Sequence, residues 1–129
     1  MMALEHLSDW EKDHIVPIIL LRPWANSKFL ENSISRIKKA FGDRQFILDM
    51  DGYYIGEGNR PAIVEFSNLK DGADNFNNWW EFVEDIENAI PCLRLDGAST
   101  ADIENQIHRA DELGRGFVMR IERVANLQA

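Results

Sequence analysis

Cysteine is nearly absent. Cys92 is the single one in the chain, so an intramolecular disulfide is excluded and a buried, inert thiol in a reducing compartment is expected. Long apolar runs are absent too, since no stretch approaches the roughly 20 consecutive apolar residues that span a bilayer. Residues 1–13 carry acidic and polar side chains where a secretory signal needs a basic start and an apolar run of roughly 7–15 residues. These absences point to a cytoplasmic chain with no membrane partner. Positive charge is scarce, with 14 Lys and Arg against 22 Asp and Glu and a formal net charge of −8. Such a mean field repels nucleic-acid backbones and anionic lipids, which argues against non-specific nucleic-acid binding but leaves room for a local basic pocket. The motifs of several large enzyme classes are missing. Gly56-Glu57-Gly58 lacks the third glycine of a dinucleotide fingerprint, and there is no P-loop, paired-cysteine metal site or Gly-x-Ser-x-Gly turn. His6, His14 and His108 have no metal-ligand spacing.

What is present is a globular composition, 45% hydrophobic and 28% charged, in a chain long enough for one unaided core. Residues 1–129 read as a single α/β domain in which 1–13 form a short lead-in helix or arm, with Leu4, Leu7 and Trp10 three apart. Residues 15–21 are nearly all apolar and β-branched, which predicts an interior parallel strand buried on both faces. Pro23 then delays the helix whose stripe is Phe29, Leu30, Ile34, Ile37 and Phe41, stopped at Gly42. A second strand is predicted over 45–50, followed by a loop with Gly56, Gly58 and Asn59. A short helix starting at Pro61 is broken by Asp71, Gly72 and Asp74, and a further helix is predicted over 77–87. The third strand is predicted over 89–96. Ser99 and Asp102 form a capping box for a helix ending at Gly114, and 117–123 reads as a fourth strand. Strands alternating with helices imply a parallel sheet of four strands, as part of a TIM-like (βα) barrel or as an open parallel α/β sheet.

The apolar runs end in charge. Arg22, then Asp49 and Asp51, then Arg94 and Asp96, then Arg120 and Glu122 stand at successive strand ends, the edge where α/β proteins place ligands. Alternation along a strand puts Asp49 with Asp51, Arg94 with Asp96, and Arg120 with Glu122 on shared faces. Two readings stay open. The carboxylates can hold a divalent cation or act as acid and base while Arg22, Arg94 and Arg120 take a phosphate-bearing ligand. Alternatively the charges neutralise one another as a structural ion network with no substrate.

Two aromatic doublets, Tyr53-Tyr54 and Trp79-Trp80, are candidate partner anchors, because Trp and Tyr dominate interface hot spots. Consecutive helical positions do not face the same way, so one tryptophan is expected in the core and the other at the surface.

The words Ile15-Val-Pro-Ile-Ile-Leu20 with Arg22, Phe46-Ile-Leu-Asp49, Ile90-Pro-Cys-Leu-Arg94 and Gly116-Phe-Val-Met-Arg120-Ile resemble the amino-terminal half of the phage "beta protein" family. The resemblance implies a barrel-like βα architecture, a setting in phages or mobile and defence-associated loci, and no assigned activity or catalytic set. It makes the chain half of a barrel, either a short member or a fragment of a longer one. A half-barrel exposes edge strands and an apolar interior face, so a homodimer or a complex with another protein is expected.

Overall fold

The computed structural model describes residues 3–23, 30–52, 54, 58 and 60–121. A 3-10 turn, Ala3–His6, leads into helix α1, Asp9–Asp13, which opens on a Ser8 and Glu11 capping box. This lead-in is tied to the rest by Arg44, whose Nε lies 2.7 Å from Asp13, and by Arg36 beside Glu5. Then follow β1 (Ile18–Leu21), α2 (Glu31–Phe41), β2 (Phe46–Met50), α3 (Pro61–Leu69), α4 (Ala73–Glu84), β3 (Ala89–Pro91) and α5 (Thr100–Leu113).

Among the described residues the sheet is parallel and three-stranded in the order β1-β2-β3, with Ile18 opposite Ile47 and Phe46 opposite Ala89. The expected four-stranded sheet is therefore corrected to three strands plus one isolated parallel bridge, Cys92 to Val118. At that bridge the Val118 N–H donates to the Pro91 carbonyl at 3.0 Å and the Leu93 N–H to the Val118 carbonyl at 2.9 Å. The other strands are shorter than expected for identifiable reasons. Pro17 has no N–H to donate, so the first strand begins at Ile18 rather than at residue 15. The third leaves the ladder after Pro91 because Gln106 takes over the Arg94 backbone, its Oε1 accepting from the Arg94 N–H at 2.7 Å and its Nε2 donating to the Arg94 carbonyl at 2.8 Å.

Alternation separates the two faces of the sheet. Leu21, Phe46, Leu48, Met50, Ala89 and Leu93 join Leu30, Ile37, Phe66, Trp79 and Val83 in one core, so the helices cover this face. The opposite face carries Ile18, Leu20, Ile47, Asp49, Ile90 and Cys92, none of which belongs to that core. Ile18 is 52% exposed and Leu20 43%, which corrects the expectation that the first strand is buried on both sides.

Helix α4 is the hub of the helical layer. Both Trp79 and Trp80 are fully buried, contrary to the expected split between core and surface. The helix packs against both the β3 extension and α5 within one core, so the adjacent rings find different partners: the Trp79 indole N–H donates to the Cys92 carbonyl at 3.0 Å, and that of Trp80 to Gln106 Oε1 at 3.2 Å. Asp74, Asn75 and Phe76 all take the left-handed conformation, so the right-handed part of α4 begins after Phe76, where the sequence places it. Each such residue costs an L side chain roughly 1–2 kcal/mol. Burial of the Phe76 ring and a hydrogen bond from Asn105 to Asn75 oppose that cost. At the other end Arg115 caps the helix, its guanidinium donating to the carbonyls of Val83, Glu84 and Ile86 at 2.7–3.1 Å. Helix α5 has the predicted Ser99 and Asp102 capping box and a left-handed Gly114 stop.

Gln106 is 1% exposed and serves three backbone or indole groups at once. Gln106→Leu leaves them unpartnered in the interior, and we expect it to lower the unfolding free energy by about 2–4 kcal/mol. Urea titration will show this as a lower midpoint with an unchanged slope.

Candidate functional site at the strand ends

Asp49 is the fourth residue of β2 and sits on the sheet face opposite the helical core. One residue back from the strand end, it is flanked by the β3 extension, which carries Cys92 and Arg94 on the same face, and by the segment after Val118, which carries Arg120. The parallel register thus delivers two guanidinium groups to one carboxylate. Arg94 Nη1 lies 2.8 Å from Asp49 Oδ1, and Arg120 Nε lies 2.7 Å from Oδ2. The Met50 N–H also donates to Oδ1 at 2.8 Å. The Asp49 side chain is 7% exposed, against 12% for Arg94 and 25% for Arg120, so the pair bonds operate where solvent screens them little.

Arg94 is held before any ligand arrives. Gln106 fixes its backbone, and its guanidinium stands 5.5 Å from the Trp79 ring. Its Nε is buried and makes no hydrogen bond within the described structure. Burial pushes the Arg94 pKa down more than the attraction of Asp49 and then Asp96 raises it, and Arg120 lowers it further. Cys92 lies under the same cluster. Burial first and the Asp49 charge second push its thiol up to about 12, outweighing the opposing pull of Arg120 and Arg94, so it is protonated and inert at neutral pH.

Of the seven strand-end residues, Asp49, Arg94 and Arg120 meet. Asp96 is exposed and acts on Arg94 through its charge. Arg22 is exposed at the end of β1, where its carbonyl accepts from the Ser33 hydroxyl at 3.1 Å, and its guanidinium is not among the groups on Asp49. Asp51 is half-buried and its N–H donates to the Leu21 carbonyl at 2.9 Å. Glu122 and Tyr53 lie outside the described residues. Among the described residues no three His, Cys, Asp or Glu side chains are grouped to hold a metal ion, which corrects the cation set of Asp49, Asp51 and Asp96: Asp49 already spends its oxygens on arginine.

Of the aromatic doublets, only Trp79 meets the cluster, from beneath Arg94. Tyr54 packs edge-on against Phe66 with ring centroids 5.5 Å apart, and neither tryptophan presents a ring at the surface. Gln106 carried no expectation from the sequence, and Trp79, expected as a partner anchor, instead lies beneath Arg94. Gln106 sits on the apolar stripe of α5 with Ile103, Ile107 and Ala110, and a lone amide on such a stripe is the signal that could have found it.

Among the described residues no helix is long and apolar enough to cross a membrane. The family model described as Beta protein matches residues 1–128. The chain is similar to "Protein beta" of Enterobacteria phage P4, 28% identical over 125 residues that cover 96% of this chain and 34% of the relative. It therefore spans about a third of that relative's length. No solved structure matches.

The Cys92 thiol supplies a pH test. Its folded pKa of about 12 lies above the ordinary 9.0, so its contribution to stability is complete below pH 9 and is lost as pH rises toward 12. Chemical denaturation across that range should show a smaller alkaline loss of stability in Cys92→Ala than in the wild type. An equal loss would contradict the burial of this thiol beside Asp49.

Proposed function

Because the chain belongs to the Beta protein family, we propose that it is a non-enzymatic interaction protein of a phage, prophage or defence-associated system, binding through the helix-free face of its sheet. The observation that carries this reading is the exposure of Ile18 and Leu20 on that face, while the alternate residues Ile19 and Leu21 pack against the core. Ile15 and Val16 extend the apolar surface on the β1 side, and Phe117, Met119 and Ile121 are exposed on the other. Exposed apolar surface of this kind fits a contact site.

The partner the surface favours is a second copy. Parallel segments in sequence order, with helices on one face, fit the wall of a (βα) barrel, in which the three strands and the Val118 segment would take four of the eight positions. A second copy related by a twofold axis along the barrel would bring the Val118 segment of each chain beside β1 of the other and bury both open faces. The phage relative, about three times as long, has chain enough to build both halves by itself. Asp49, with both oxygens taken by arginine, and the protonated Cys92 fit a structural role better than an acid, base or nucleophile.

Light scattering coupled to size exclusion tests this. We expect the mass of two 14.9 kDa chains. Since each carries a formal charge of −8, added salt should strengthen the association by screening repulsion across an apolar contact. Leu20→Glu should give a folded monomer. A wild-type monomer at every concentration and salt would overturn the second copy as partner, and a dimer untouched by Leu20→Glu would overturn the surface.

A further inference from the structure

We propose that the lead-in arm of each chain is a clasp that lays Trp10 on Phe117 and Met119 of a second copy, an inference that rests on the second copy as partner and names the contact joining the two helical layers. Within its own chain the arm buries nothing. Neither the Ala3–His6 turn nor α1 has a buried residue, and a five-residue helix is too short to hold itself. Ion pairs keep it in place, Glu5 with Arg36 on α2 and both Asp9 and Asp13 with Arg44, and they set it on the helical side of the sheet at the start of β1. Asp9 and Asp13 are one turn apart and face Arg44. Trp10 and His14, on the next stripe around, stack with ring centroids 4.2 Å apart and leave Trp10 70% exposed.

The surface that matches this ring is at the opposite edge of the sheet. Leu48 pairs with Pro91, so Asp49 stands opposite Cys92, and Cys92 is bridged to Val118. Val118 and Arg120 therefore share the face of Asp49, in agreement with the Arg120 ion pair, and alternation turns Phe117, Met119 and Ile121 toward the helical layer. All three are exposed there, while α5, the helix just before them, buries Gln106 and Ala110 against α4 instead. In a βα wall the outer side of two neighbouring parallel strands is covered by the helix that crosses between them. No crossover helix can link the Val118 segment of one chain to β1 of another. Where those edges meet, the helical layer has a gap between α5 of one copy and α2 of the other, and the arm ahead of β1 stands in it. Trp10 and Phe117 both precede the strand they serve, which brings Phe117 and Met119, rather than Ile121, within reach of the ring. A twofold axis repeats the contact, two clasps to a dimer.

The test measures the dimer dissociation constant of the full chain by sedimentation equilibrium for wild type, Trp10→Ala, Phe117→Ala and the double variant. We expect each single substitution to weaken the dimer about tenfold or more, as truncated interface aromatics do. The double variant should be weakened by clearly less than the product of the two, because both substitutions remove one shared contact. In the monomeric Leu20→Glu background, Trp10→Ala should leave the urea midpoint unchanged, since the ring is exposed in a single chain. A wild-type monomer at every concentration overturns the second copy as partner and the clasp with it. A wild-type dimer that Trp10→Ala or Phe117→Ala leaves unmoved, or in which the two effects simply multiply, overturns the clasp alone and leaves the sheet-face dimer standing. A urea midpoint lowered by Trp10→Ala in the monomer assigns the ring to the fold of its own chain and overturns the clasp as well.

Discussion

A buried carboxylate shared between two arginines is the constraint on which the strand-end edge depends. Asp49 reaches Arg94 across one strand junction and Arg120 across 71 residues of sequence. Those two bonds hold together β2, the β3 extension and the Val118 segment at the point where regular pairing has dwindled to one bridge. Removing such charges from water is costly, and their mutual attraction roughly offsets that cost when each is well bonded. The consequence lies in specificity. Any shift of the Val118 segment by one residue would turn Arg120 away from Asp49 and forfeit that ion pair, so the cluster favours one register where backbone hydrogen bonds are few.

The same economy explains the layer behind it. Arg94 can be held over Trp79 because α4 packs against both the β3 extension and α5, and Gln106 on α5 closes the path by gripping the Arg94 backbone. Arg115 then ends α4 at the place where the chain must turn into β3. The polar side chains that matter most to this fold are those that accept or donate to backbone leaving regular structure, which is where an interior most needs partners.

Much of this was legible in the sequence, and the limits are physical. The βα order, the Ser99 capping box, the Gly114 stop and the buried Cys92 follow from local chemistry and were read correctly. Alternation also placed Asp49, Arg94 and Arg120 at strand ends. Period alone could not separate Asp49 from Asp51, two residues on and of the same charge, because which is buried depends on segments far along the chain. The Trp79 and Trp80 pair misled for a related reason: the buried stripe of α4 is wide enough for both rings, because one meets the β3 extension and the other meets α5. The left-handed turn at Asp74, Asn75 and Phe76 contradicts local preference and depends on tertiary burial of Phe76. Strand lengths were overestimated because Pro17 and Gln106 end pairing by removing or diverting backbone groups.

The central claim is that Asp49 and Arg120 act as a coupled pair that places the Val118 segment. A double-mutant cycle with Asp49→Asn, Arg120→Gln and the combination, measured by urea denaturation, tests it directly. The account predicts a coupling of at least about 1 kcal/mol between the two sites, and additivity within about 0.5 kcal/mol would contradict it.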